Sequence, residues 1–340
     1  MPERVISLAR EVGTIARGQV AAIQGVTRRT KMLAINALIE AKTAGSHGVG
    51  FAVVANEIKD ISSEIDRHAN ELTQQLGQRL EDLNRLGGEL VADIYGRRLS
   101  DLAHNLIEIM DRNLYERSCD VRWWATDAAV IEACAEPTAE RRATASQRLG
   151  VILDAYTVYL DLWICDRDGK VLATGRPTRF PKALTTNVAD QDWFRQALAS
   201  TSGDDYAVAD IHRAPACDDR LVATYASAVR PGGHKNAPPI GVIGIFFDWQ
   251  AQAQTVVNGV RLSEKERERS RCLIIDARHR IIAASDGRGL LEETFPLTAS
   301  QQTTGHYRDQ NRVIGFAKTP GYETYPGLGW FGVITQQLGG

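Results

Sequence analysis

Apolar residues recur through the N-terminal region at intervals of three and four. Val5, Leu8, Val12, Ile15, Ala22, Val26 and Leu33 fall on one such line. That spacing is the heptad pattern of a packed helix. Gly45, Gly48 and Gly50 then cluster in a short stretch. Glycine accepts positive φ and removes side-chain bulk, so the cluster suits a tight reversal. Phe51, Val54, Ile58, Ile61, Ile65 and Leu72 resume the step. The pattern predicts an antiparallel helical hairpin over residues 1–76, with its tip near 45–50. A single hairpin cannot bury such a stripe, so a homodimer forming a four-helix bundle is expected. The glycines do not make a phosphate loop. A helix precedes them where that loop needs a strand, and no Gly-Lys-Ser/Thr follows.

The helical step continues through Leu76, Leu80, Leu83, Leu86, Leu90 and Ile94, then Leu99, Leu102, Leu106 and Ile109. This predicts a long connecting helix over 77–122, strongest to about Arg117. Gly77 and Gly87-Gly88 each cost about 1 kcal/mol relative to Ala and mark a possible kink. From Trp123 the texture changes. Helical patterns at 127–134 and 138–154 give way to alternating apolar runs at 160–165, 171–174, 206–209, 221–229 and 240–248. Asp168-Gly169 between two of them is a hairpin signal. Asp192–Leu198 reads as a short helix. A smaller set of runs follows at 272–276, 281–284, 312–317 and 329–335. Glu264–Arg269 reads as a solvated helix face between the two sets. The fold class is α+β: a helical hairpin, a long helix, then two antiparallel-sheet modules over 123–260 and 261–340.

Composition narrows the function. The chain has 340 residues, 44% of them hydrophobic and 24% charged, which is enough apolar content for a sizeable core. A formal net charge of −2 carries no basic excess, so nucleic acid is not an expected partner. No apolar run approaches the roughly 20 residues of a membrane helix, so no membrane insertion is expected. Arg4, Arg10 and Glu11 interrupt any signal-peptide core, and a cytoplasmic setting is expected. The five cysteines are scattered, without a C-x-x-C pair, as in a reduced protein. His212, Cys217, Asp218, Asp219 and His234 have metal-ligand chemistry but no zinc spacing, and they read as a solvated loop. No catalytic word such as G-x-S-x-G or H-E-x-x-H occurs. Neither an enzyme nor a bound cofactor or metal is called for.

The words Leu33-Ala34-Ile35-Asn36-Ala37-Leu38-Ile39-Glu40-Ala41 and Gly50-Phe51-Ala52-Val53-Val54-Ala55-Asn56-Glu57-Ile58 resemble the signalling hairpin tip of methyl-accepting chemotaxis receptors. Asn36, Glu40, Phe51, Val53 and Glu57 match that family. The resemblance implies a tip that docks a chemotaxis histidine kinase and its coupling adaptor. The chain departs from the family at Thr43, where an Arg is usual, and at Ser46, where an acid is usual. A second reading is therefore a ligand-binding dimer whose hairpin is only a structural coiled coil.

The later words ICDRDGKVLATG, DWFRQAL, LVATYASAVR, IGVIGIFFDWQ and GLGWFGVIT, in that order, resemble a double Cache sensor domain, a PAS-like fold. The resemblance implies a small-metabolite site in the first module, of the membrane-distal type. Its amino-acid-binding members have an Arg and an Asp where this chain has Gln191 and Phe246. Loss of both removes the paired recognition of a zwitterion. The expected lining is aromatic and polar: Trp193, Phe194, Tyr206, Asp210, Tyr225 and Phe246, with Asp161 and Trp163. Such a wall suits a small planar or weakly polar metabolite.

Overall fold

The computed structural model describes residues 2–298 and 302–337, apart from the side chains of residues 2–6, among them Val5 of the stripe. The chain divides into two units, Met1–Tyr95 and Gly96–Gly340.

The first unit is a helical hairpin. Helix α1 (Pro2–Thr43) ends in a 3-10 turn (Gly45–Gly48), and α2 (Val49–Trp124) returns. Gly45 takes φ +60, the left-handed conformation that stops a helix. A Cβ on Gly48 would collide with the Ala41 carbonyl, so only glycine lets the two arms close here. Helix α2 is assigned without a break through Gly77, Gly87 and Gly88.

The line that loses solvent is not the line of large residues. Buried positions on α1 are Gly13, Val20, Thr27, Ala34 and Ala41. Gly48 in the turn, then Ala55, Ser62 and Ala69 on the first part of α2, continue the line. Both arms repeat every seven residues, as a heptad seam requires. Leu8, Val12, Ile15, Val26 and Leu33 stand at 51–70% exposure. The physical reason is size. Small side chains let two helix backbones approach closely, and the large ones are left on another face.

In the second unit, α3 (Ala128–Ala135) and α4 (Ala139–Ala155) follow the end of α2. Asp127 and Thr138 cap their N-termini through side-chain oxygens. The first sheet holds β1 (Tyr159–Cys165), β2 (Val171–Thr174), β3 (Ala207–Ala214), β4 (Arg220–Val229) and β5 (Gly241–Asp248). Its order is β2-β1-β5-β4-β3, all antiparallel. Helix α5 (Asp192–Leu198) lies in the β2–β3 connection. Helices α6 (Trp249–Asn258) and α7 (Glu264–Arg267) lead to the second sheet. That sheet holds β6 (Ser270–Ile275), β7 (Ile281–Ala284), β8 (Thr304–Asp309), β9 (Arg312–Lys318) and β10 (Phe331–Gln337), in the equivalent order β7-β6-β10-β9-β8. The α+β architecture expected from the sequence is the observed one.

One face of each sheet shares a single core with residues 99–124 of α2, including Leu106, Met110 and Leu114. Gly315 on β9 and Gly332 on β10 give the helix its floor. A Cβ on either would strike the α2 backbone at Leu99 or Ala103. Asp111 accepts from Thr319 Oγ1 and from Gly321 N at 2.9 Å. Further along, Arg117 pairs with Asp120 and lies 5.1 Å over the Tyr159 ring. Trp249 joins the two sheets. It meets Trp330 edge-on at 5.1 Å, and its indole N–H donates to Ile282 O at 2.6 Å. No described helix is long and apolar enough to cross a membrane.

Candidate functional site

The opposite face of the first sheet carries a cavity of about 390 Å³. Three aromatic side chains form its wall. Trp163 comes from β1, Phe246 from β5 and Trp193 from α5. Trp163 and Phe246 lie 4.1 Å apart between ring centroids, and Trp193 meets Phe246 edge-on at 6.1 Å. Trp193 rests on Gly244, whose added Cβ would come within 3.0 Å of the indole. Glycine at 244 therefore sets how close the α5 tryptophan approaches the sheet.

Asp161 holds Trp163 in place. Its Oδ2 accepts from the Trp163 indole N–H at 2.8 Å and from Thr174 Oγ1. Its Oδ1 accepts from Leu162 N at 2.8 Å and Arg176 N at 3.0 Å. Burial pushes the Asp161 carboxyl above its ordinary value, and these four hydrogen bonds oppose the shift.

The polar lining comes from one connection and an edge strand. Thr186, Asn187 and Gln191 lie between β2 and α5, and His212 and Arg213 end β3. Asn187 is committed elsewhere: its amide donates to Asp168 O and accepts from Ala189 N. That grip closes the Asp166–Gly169 turn, where Gly169 takes φ +78. Gln191 precedes α5 without capping it through its side chain. His212 Nδ1 sits 2.9 Å from Asp210 O.

Of the eight side chains expected at the site, Trp163, Trp193 and Phe246 line this cavity together. Asp161 braces it from behind, and Phe194 is buried beside Trp193 at 6.1 Å. Tyr206, Tyr225 and Asp210 lie elsewhere. Strand alternation turns Tyr225 to the other face, where its hydroxyl meets that of Tyr325 at 3.2 Å and its ring stacks on Tyr206. Asp210 accepts from Ile211 N, and its charged neighbours are Asp276 and Arg280. The sequence did not single out Thr186 or Asn187, and it placed His212 in a loop. The irregular register of β3 between Ala209 and His212 hides the alternation that would have revealed it. Among the described residues, no group of three or more His, Cys, Asp or Glu side chains is placed to hold a metal.

At the hairpin tip, Asn36, Glu40, Phe51, Val53 and Glu57 are all exposed, Phe51 at 75%. Thr43 turns its hydroxyl back to Ile39 O at 2.9 Å. Residues 4–91 match the model of the methyl-accepting chemotaxis protein (MCP) signalling domain. This segment is similar to chemoreceptor signalling domains. Transducer protein Htr18 of Halobacterium salinarum is 41% identical to this chain over 93 residues. The match covers 27% of this chain and 10% of that protein. The chain thus spans about a tenth of the length of that relative.

Outside the signalling domain the similarity is one of fold. The sensor domain of the V. cholerae histidine kinase DctB aligns with a TM-score of 0.53 at 12% identity, over 74% of this chain and 99% of that one. The ligand-binding domain of the Pseudomonas aeruginosa amino-acid chemoreceptor PctC, solved with GABA, aligns with a TM-score of 0.52 at 14% identity. It covers 72% and 99% of the two chains. The chain therefore combines a segment that matches the MCP signalling-domain model with a unit that shares the fold of these two domains.

Proposed function

We propose that this protein is a chemoreceptor-like signal transducer. Its first sheet module binds a small metabolite in the Trp163–Trp193–Phe246 cavity. Its hairpin works as a homodimer and signals through the tip to a chemotaxis kinase and coupling adaptor. The observation that carries the reading is an aromatic-walled cavity of about 390 Å³, within the range of small-molecule sites, in a chain that also bears a signalling domain.

Calorimetry on a ligand found by a thermal-shift screen tests the sensing half. Trp193→Ala is expected to weaken binding at least about tenfold while the protein stays folded, as for a buried aromatic anchor. Unchanged affinity in that variant removes the cavity from the account. Capture of kinase and adaptor by the purified protein tests the output half. Glu40→Ala should weaken capture, and Thr43→Arg with Ser46→Glu should strengthen it.

A second reading rests on Thr43, which carries no charge and satisfies its hydroxyl within its own helix. In this reading the hairpin is a structural dimerisation coiled coil. Absence of capture by both the native and the restored tip selects it.

A further inference from the structure

Among the described residues that line the cavity there is no carboxylate. The acid behind its wall, Asp161, already accepts four hydrogen bonds, two on each oxygen. A carboxylate accepts about four in all, so an entering ammonium finds no anionic partner there. The guanidinium of Arg213, the cation among the described lining residues, is 50% exposed and has an acid beside it. Arg213 Nη1 donates to Asp219 O at 3.3 Å and lies 3.8 Å from the Asp219 carboxylate. Bringing a charged ligand into a largely apolar site without a counter-charge is costly.

What the cavity does offer is flat and amphoteric. Trp163, Trp193 and Phe246 present ring surfaces. The Gln191 amide carries both a donor and an acceptor, and its side chain makes no cap bond to α5. His212 pairs across the sheet with Val222, whose side chain packs in the core on the cavity side, so its ring lies on that face. With Nδ1 against the Asp210 carbonyl, Nε2 is the nitrogen turned to a ligand. A donor–acceptor pair beside aromatic walls fits an N–H/C=O edge on a planar ring.

We propose that the cavity selects a neutral planar ring bearing an amide edge, the chemistry shared by nucleobases and aromatic carboxamides, over any carboxylate or amine of the same size. The proposal rests on the reading of this cavity as the sensing site.

The test is a matched series on the full chain by thermal shift and calorimetry. Uracil and hypoxanthine represent nucleobases and nicotinamide represents carboxamides. Nicotinate and 3-picolylamine keep the nicotinamide ring but carry a negative or a positive charge. At least one neutral probe should bind about tenfold or more tighter than both charged ones, and which neutral probe wins separates the two sources. Gln191→Glu should weaken the neutral probe about tenfold and admit 3-picolylamine. Trp193→Ala should weaken every probe that binds.

If nicotinate or 3-picolylamine binds as tightly as any neutral probe, the selectivity is wrong. If that binding is lost in Trp193→Ala, the cavity is still the site. No shift from any neutral probe at 10 mM, a concentration on the order of ten times a weak millimolar Kd, overturns the proposal. A neutral probe whose affinity survives Trp193→Ala overturns the cavity reading itself.

Discussion

In the hairpin, the residues withdrawn from solvent are mostly small, Gly13, Thr27, Ala34, Ala55 and Ser62 among them, and the exposed ones include Leu33, Phe51 and Ile61. In the sensor-fold unit the sizes are reversed. Trp249, Trp330, Tyr225, Met110 and Leu114 are fully buried. The sensor fold completes its core within one chain, because two sheets and the end of α2 close around it. Two helices alone offer each other one narrow seam. Each large apolar side chain left outside forgoes about 1.5–3 kcal/mol of burial, and only a further surface recovers it. The stability of one region belongs to the chain, and under the proposed dimer that of the other would depend on protein concentration.

Trp249→Ala tests the self-sufficient half and should have the largest effect. It removes a fully buried indole, its edge contact with Trp330 and its hydrogen bond to Ile282. We expect a loss of about 3–5 kcal/mol in urea unfolding, independent of protein concentration. A loss below about 1 kcal/mol would show that the two sheets do not depend on this junction.

Ile61→Ser probes the incomplete half. The native chain should sediment at twice its 37.4 kDa mass at micromolar concentration. The variant should raise the dimer Kd about 10- to 100-fold, because each of the two protomers loses burial of the half of Ile61 that the hairpin leaves exposed, 49% of it. The sensor-fold transition should not move. A native chain that sediments as a monomer would erase the contrast.

The smallest effect is electrostatic and confined to the sensor-fold unit. Arg98 holds the Glu266 carboxyl down to about 2 from an ordinary 4.5, aided by the Ser263 capping box. A depressed acid contributes stability that is full above its unfolded value and is lost as pH falls through the folded one. Stability should therefore decline between pH 4.5 and 2. Arg98 is 45% exposed, so solvent screening limits the contribution to about 1 kcal/mol or less. Glu266→Gln should flatten the decline in acid titrations followed by circular dichroism. An unchanged slope would show that the pair contributes nothing.

Much of this architecture was legible before any coordinates. The glycine cluster marked the reversal between α1 and α2, and Asp168-Gly169 marked the β1–β2 turn, because both rest on local backbone preference. Strand β8 was not legible. Its Thr304–Asp309 run is polar and sits at a sheet edge, where no second neighbour enforces apolar alternation. Helix α6 was missed too, because Trp249 continues the apolar run of β5 and only the structure shows Asp248 ending it. At the site, Trp193 and Phe246 could be named from the chain, whereas Tyr225 could not be told apart from them. All three are large aromatic residues, and for Tyr225 and Phe246 the face each takes depends on its strand's register.

The sequence by itself determined most of the elements and their approximate limits, since periodicity and turn chemistry act over a few residues. It also determined the absence of a charged pair at Gln191 and Phe246. The tertiary structure alone decided which heptad line closes the hairpin and which sheet face opens into a cavity. It also decided that β5 lies between β1 and β4. A periodic pattern records that a position is apolar. It does not record which of two apolar faces meets which partner, because that choice is made by contacts between residues far apart in the chain.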